Sequence, residues 1–387
     1  MDRQKSPRIG VVKNHSTTPI EEYIAKVYPW AHGHQIKGIS DFVRAILQRQ
    51  SGIQAELVRG MGNQEACLKR LSRLNHNERL DPHKLAEGVM DQALEQIPPK
   101  GKVKLAVDWT IEGEQYLLVV SLVIGRRAIV LYWRAYAVSW LKGRMKRYEL
   151  SVIKRVLSRI RKHIGRRRLK VTVTADRGFV DVELCDLFED FGVEYILRAK
   201  ASTKVFVKGK WQQFQNLSFI TNSRRRNLGK VSYCQSSPHQ VYASLSRVKN
   251  EKGEWEVWYL ISNGKLSATQ MAHEYARRFG CEEGFRDAKW LLGFAQARIQ
   301  DIKAWSRFFA LFALAMLILI SLAVKVLLKD PTRAKSLLRL VASRRKARCE
   351  LSLLNAMLKI LQQLPSLLSE LDPNTKLVLE AQLQYVS

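Results

Sequence analysis

Acidic residues are scarce in this chain. Its 387 residues hold 35 Asp and Glu against 65 Lys and Arg, a formal net charge of +30. That imbalance argues against an enzyme of small neutral substrates and points to a polyanion: DNA, RNA or an anionic membrane. Paired cysteines are also missing. The five cysteines, at 67, 185, 234, 281 and 349, form no C-x-x-C pair and no Cys/His cluster at zinc spacing. A structural zinc is therefore not expected, and the sparse, odd set fits a reducing compartment. The N-terminal stretch MDRQKSPRIGVVKNHSTTP lacks the apolar run of a signal peptide, so a cytoplasmic location is expected. A full membrane span is wanting too. The uncharged run Phe308–Val324 has 17 residues, short of the roughly 20 a span needs. Lys303, Arg307 and Lys325 flank it, and it reads as a buried core helix, with an anchored membrane protein as the lesser alternative. There is no internal repeat and no low-complexity tract.

What is present is globular. Hydrophobic residues make up 46% and charged residues 26%, enough apolar mass for a real core. The length suits two or three domains. Residues 1–16 read as a loose basic arm, and the pattern to residue 98 is helical. Thr18-Pro19-Ile20-Glu21 and Asp81-Pro82 are capped helix starts with Pro at the first helical position. GISDFVRAILQRQ and NQEACLKRLSRL lie between them. Four short helices with basic faces fit a DNA-binding bundle over 1–98; a packing or dimerisation domain is the plainer alternative.

After the linker Pro98-Pro99-Lys100-Gly101 the pattern changes. KVKLAVDWTI, YLLVVSLVIG and AIVLYWRAYAV are apolar, β-branched runs separated by turn signals, three consecutive strands. A basic helix at about 145–164, the strand LKVTVTA, a helix at about 180–191 and the strand VEYILRA follow. The order β-β-β-α-β-α-β is that of a ribonuclease-H-like mixed sheet. Residues 200–265 break the alternation with KVFVKGKWQQF, GKVSYCQ, QVYASLSRV and EWEVWYLISN, a β-rich insertion. A helical period returns near 267. The expected architecture is α/β: a ribonuclease-H-like core over 99–199 and 266–328, the insertion over 200–265, and helical regions over 1–98 and 329–387.

Three carboxylates stand out. Asp108 lies inside the apolar strand LAVDWTI, where it is costly without a partner or a metal. Asp176 follows directly after VTVTA, where an active-site carboxylate belongs in an open α/β sheet. In this strand order the first and fourth strands are neighbours, so the two aspartates approach each other although 68 residues separate them. The plain readings are a buried salt bridge and a helix cap. The third acid is expected from HEYARRFGCEEGFRDAKWLLGF. At about 100° per residue, Tyr275, Arg278, Glu282 and Lys289 share an arc of about 60° and Glu283 falls on its shoulder. A solvated face with i,i+4 pairs is the alternative. Three carboxylates on one rim suit two Mg²⁺ ions, which take oxygen ligands and promote in-line phosphodiester displacement.

These residues resemble a known family, the DDE transposases of bacterial insertion sequences, in the insertion-sequence-four type. The helix signature of that branch, Y-x2-R-x3-E-x6-K, reads here as Tyr275, Arg278, Glu282 and Lys289. VDWT, TADRGF and the β-rich insertion match as well, over about residues 60–325. Phe279-Gly280-Cys281 departs from the Trp-x-Ile often found before the Glu. The resemblance implies that Asp108, Asp176 and Glu282 bind two Mg²⁺ ions, with Mn²⁺ able to substitute, and carry the catalysis. It implies that Tyr275, Arg278 and Lys289 contact phosphates at the transposon end. Trp258 resembles in placement an aromatic that stacks on a flipped base, with a strand-core residue as the alternative. Lys69, Arg70 and Arg73 fall in a helix that resembles the end-binding region. The partners implied are double-stranded DNA, as transposon ends and target, and a second copy in a homodimer, with no membrane, in a bacterial, nucleoid-associated setting. The implied function is end cleavage and transfer of 3′ ends to target DNA. The alternatives are a ribonuclease-H-fold nuclease without strand transfer and an inactive or domesticated DNA-binding protein.

Residues 142–170 hold 13 Lys and Arg against one acid, Glu149. The excess reads as a track for a DNA backbone, extended by Arg224-Arg225-Arg226 and Arg344-Arg345-Lys346; such contacts set affinity and register more than sequence choice.

Overall fold

A computed structural model describes residues 17–125, 127–164, 169–219, 223–250, 252–341 and 352–378. The basic arm 1–16, the tripeptide 166–168 and Arg344-Arg345-Lys346 lie outside the described residues.

Five helices open the chain: α1 (Pro19–Val27), α2 (Gly33–Arg49), α3 (Gln54–Val58), α4 (Gln64–Asn75) and α5 (Pro82–Gln96). The short α3 is one more than the sequence suggests. The two capped starts form as their residues dictate. Thr18 Oγ1 accepts from the Glu21 amide at 3.3 Å while Glu21 accepts from the Thr18 amide at 2.9 Å, a closed capping box. Asp81 accepts from the His83 amide at 2.8 Å at the start of α5.

The sheet begins with β1 (Gly101–Glu112), β2 (Gln115–Ile124) and β3 (Arg127–Ala137). The short α6 (Val138–Leu141) and the basic α7 (Met145–Ile164) lead to β4 (Leu169–Ala175), α8 (Val182–Asp190) and β5 (Glu194–Arg198). β1 pairs in parallel with β4, and β4 in parallel with β5, while β1, β2 and β3 are antiparallel. This is the ribonuclease-H-like order, and the first and fourth strands are neighbours as the sequence predicts.

The insertion contributes β6 (Lys204–Val207), β7 (Lys210–Gln213), β8 (Arg225–Tyr233), β9 (His239–Lys249) and β10 (Trp255–Ser262). KVFVKGKWQQF, expected as one strand, is a hairpin whose turn residues Lys208 and Gly209 have φ of 53° and 77°. β10 pairs antiparallel with β5, so the insertion continues the same sheet, in the order β3-β2-β1-β4-β5-β10-β9-β8-β6-β7.

The chain returns through α9 (Ala268–Ala276) and α10 (Phe279–Arg286) to α11 (Ile302–Ala323), α12 (Pro331–Val341) and α13 (Leu353–Gln363). α11 and the turn after it, Ile302–Leu328, are long and apolar enough to cross a membrane. Its most apolar stretch is 89% buried inside the protein, packed by α2, α5, α13 and β3. Arg307 on this helix is buried as well, donating to the carbonyls of Leu80 at 2.6 Å and Asn75 at 3.0 Å. It is the central core helix, as its short uncharged run predicts.

Candidate active site

Strand pairing places the acids. Val107 on β1 lies opposite Ala175 on β4. Asp108 is one residue further along β1, and Asp176 one residue beyond β4. Asp108, still inside β1, therefore stands beside Asp176 just past the end of the adjacent parallel strand, and the alternation of side chains turns both to the same face. Asp108 is part-buried, its side chain 21% exposed. Its Oδ1 accepts from the Trp109 amide at 2.9 Å, which fixes the rotamer.

α9 and α10 bring the remaining groups over that face. Ser267 and Gln270 form a capping box that starts α9. The two helices were expected as one regular helix. Instead the Arg277 and Arg278 amides bond back three residues, to Glu274 at 3.2 Å and Tyr275 at 2.9 Å, which tightens the turn between them. After α10 the Leu292 amide reaches back five residues to the Asp287 carbonyl at 2.9 Å, a single π turn over Asp287–Leu291. A uniform step of 100° per residue does not hold across this segment, and the four signature residues do different things.

Tyr275 is fully buried, and its hydroxyl donates to Asp176 Oδ1 at 3.0 Å. Arg278 is 4% exposed and inserts between two acids, donating to Asp108 Oδ2 at 3.0 Å and to Glu282 Oε1 at 2.8 Å. Lys289 sits at the end of β1, bonded to the Ile111 carbonyl at 2.8 Å and paired with Glu112 at 3.0 Å. The alternative of a solvated face does not hold for Tyr275 and Arg278: both are buried, with partners in the site for their polar ends. Glu283 turns away and pairs with Arg127 and Arg286, so the two adjacent glutamates have different partners.

Close packing sets the position of Glu282. A Cβ at Gly284 would stand 2.3 Å from the Ala128 carbonyl oxygen of β3. Only glycine lets α10 approach the sheet this closely.

The electrostatics follow from the crowding. Burial pushes the Asp108 carboxyl up to about 6; Arg278 and the Trp109 amide oppose this, while Glu282 and Asp176 add to it. Burial disfavours the charge on Arg278, but Tyr275 and the three acids outweigh it and raise its pKa. Asp108 and Glu282 thus bond one guanidinium directly, and the charge of Asp176 adds to their effect. Among the described residues no three His, Cys, Asp or Glu side chains stand close enough together to hold a metal ion, and Arg278 bridges Asp108 and Glu282. The donor set itself fits a hard cation. It is all carboxylate, its members repel one another, and a positive group already stands in for the missing charge.

Trp258 lies in a small core cluster with Tyr275 and is 5% exposed. Its ring meets Tyr275 edge-on at 5.0 Å and lies 5.8 Å from Phe279, and its Nε1 donates to Glu256 at 2.6 Å. As it stands it is a packing residue, the plainer of the two sequence readings. The exposed aromatic of this region is Trp290, 74% exposed beside Lys289, which the sequence reading does not single out. Its signal was an aromatic directly after the last signature residue. On α4, Lys69 pairs with Glu65 at 2.6 Å and Arg70 with Asp41 at 3.0 Å, while Arg73 donates to the Lys69 carbonyl at 3.2 Å.

The basic track on α7 needs correction in part. Arg155 and Arg159 reach Glu87 of α5 at 2.8 and 2.9 Å, and Arg159 and His163 bind Asp91. These cations fasten α7 to the N-terminal helices. Lys146, Arg147 and Lys154 line a groove whose other wall holds Glu183, Asp186 and Asp190 of α8.

A mixed sheet of this order flanked by helices is a ribonuclease-H-like α/β fold. Residues 140–319 match the family model of the transposase DDE domain. The match supports a DDE transposase, a metal-dependent DNA-cutting enzyme. It takes in Asp176, Tyr275, Arg278, Glu282 and Lys289, while Asp108 lies ahead of the matched span. No curated protein matches the chain.

Proposed function

We propose that this chain is the transposase of an insertion sequence, of the insertion-sequence-four type. In this reading it binds the element's terminal inverted repeats, cleaves at its ends and transfers the 3′ ends to target DNA. The observation that supports it is the convergence of Asp108, Asp176 and Glu282 on Arg278 in a chain of net charge +30.

Asp108, Asp176 and Glu282 would hold Mg²⁺, or Mn²⁺ in its place. Bound there, two divalent ions supply activation of a water or 3′-hydroxyl and stabilisation of the leaving oxygen. The protein's own groups do the rest. The Trp109 amide and the Tyr275 hydroxyl orient Asp108 and Asp176. Arg278 balances Asp108 and Glu282 in the free protein. When other positive charge balances those acids, its planar fork is released toward a phosphate of the transposon end, with Lys289 as a second contact. Tyr275 lies within the same cluster. Lys69, Arg70 and Arg73 on α4 would contact the end sequence. A homodimer follows from the need to hold two ends together, and Trp258 would stack on a flipped base only after leaving its place against Tyr275. The helical N-terminal region to residue 98, the core, the insertion and the C-terminal helices would divide these tasks.

The test is to incubate the protein and Mn²⁺ or Mg²⁺ with a plasmid carrying the DNA that flanks this gene. End cleavage and joined products, both lost in Asp176→Asn, are expected. Cleavage without joining would make it a ribonuclease-H-fold nuclease. Specific binding of the flanks without cleavage would make it an inactive or domesticated DNA-binding protein.

A further inference from the structure

The tip of the insertion carries a second basic feature on the opposite side of the sheet from the acids. Directly opposed residues in a sheet share a face. Val107 lies opposite Ala175, Ala175 opposite Leu197, and Leu197 opposite Ile261. Alternation along β10 then puts Tyr259, Val257 and Trp255 on the face of Val107, and Asp108 on the other. Lys249 lies opposite Trp255, and Arg247 opposite Val257.

Around Trp255 the surface forms an open hollow of about 750 Å³. Arg224, Arg225, Arg247, Lys249 and Trp255 line it with no carboxylate among them. Trp255 is 51% exposed. The Arg224 guanidinium lies 5.0 Å and the Lys249 ammonium 5.4 Å from its ring, while Arg247 stacks on Phe219 at 4.4 Å. The nearest described acids are committed elsewhere. Glu254 binds Asn250, and Glu256 binds Arg198 and Trp258. Among the described residues no ion pair joins any of the four cations to an acid. Like charges crowd here, and aromatic faces hold them in place by cation–π attraction.

We infer that this hollow is a sequence-independent phosphate site for a second segment of duplex DNA. This rests on the transposase reading for the kind of polyanion involved. Arg224, Arg247 and Lys249, which pair with no acid among the described residues, call for an external anion. An open concavity at a sheet edge admits a continuous backbone rather than enclosing a small phosphate. Because the hollow and the acids face opposite sides of the sheet, a straight duplex in the active site does not reach it. The occupant is DNA other than the stretch being cut by the same protomer. Trp255 acts as a positioning residue for Arg224 and Lys249.

The experiment measures binding of full-length protein to a labelled mixed-sequence duplex across a salt series, alongside end cleavage. The variant is Arg224→Gln/Arg247→Gln/Lys249→Gln. A control with equal charge loss is Lys329→Gln/Lys335→Gln/Arg339→Gln. The hollow variant is expected to flatten the slope of log K against log salt by about 2–3, near 0.9 per lost contact. The control is expected to change it little. Equal slopes in the two variants, or a wild type that does not bind the duplex, overturn the proposal. A wild type that never cuts while the slope difference persists sinks the transposase reading and leaves the site standing.

Discussion

The Arg278 guanidinium lies 3.0 Å from the Asp108 carboxylate, across 170 residues of sequence, and its other nitrogen holds Glu282. One buried cation therefore ties the central strand to the covering helix. Removing it leaves Asp108 without its strongest compensating charge. Arg278→Gln is expected to cost about 2 kcal/mol, less than a fully buried pair because Asp108 is partly exposed and takes up a proton. Mn²⁺ should restore more of the melting temperature in the variant than it adds to wild type. Equal shifts in both proteins would mean that Arg278 does not occupy the cation's place.

Gly284 tests the fit of the helix that carries Glu282. Gly284→Ala forces α10 away from Ala128 and is expected to destabilise by about 1–3 kcal/mol. Cleavage should fall by more than the melting temperature accounts for, although every acid is kept. Thermal melts and cleavage rates on the same preparation check this.

Asp287 gives a dependence on pH away from the acids of the site. It is 7% exposed, its Oδ2 finds no hydrogen-bond partner, and burial pushes its carboxyl up to about 6 against the pull of Arg127. The folded state then binds more protons than the unfolded chain between about pH 4 and 6. The stabilising contribution is present below that window, is lost as pH rises through it, and is level above. Asp287→Asn removes this loss, while Arg127 keeps Glu283. The variant should be more stable than wild type by up to about 2 kcal/mol at pH 7.5 and not at pH 4. Urea melts at the two pH values measure it.

Trp258 separates packing from base stacking. Trp258→Ala empties the cluster with Tyr275 and is expected to cost roughly 3–5 kcal/mol. Trp258→Phe keeps most of the ring. If the side chain only packs, end affinity in the Phe variant stays at the wild-type value. A fall in end affinity at unchanged melting temperature would show that the indole leaves the core to meet DNA.

Much of the core could be read from residues. The apolar runs of β1 to β5, the capped starts of α1 and α5 and the turn signals between strands are local, so their elements form where the pattern places them. The adjacency of β1 and β4 followed from their order alone. The shape of the site was less legible. The tightened turn at Arg277 and Arg278 and the π turn after α10 depend on how the helix meets the sheet, so a uniform helical step misjudged what Tyr275 and Arg278 face. The charge excess on α7 hid its partners, since Glu87 and Asp91 lie far away in sequence on α5. Trp258 looked the same in sequence whether it packs or stacks, and only the burial of Tyr275 beneath it decides how it sits.

The central claim is that Glu282, and not its neighbour, completes the triad with Asp108 and Asp176. The most direct measurement is the single-turnover rate of end cleavage in Mn²⁺ for wild type, Glu282→Gln and Glu283→Gln. The account predicts a loss of roughly 100-fold or more, about 2.7 kcal/mol in the barrier, for Glu282→Gln, with Glu283→Gln close to wild type. Cleavage by Glu282→Gln at the wild-type rate would contradict it.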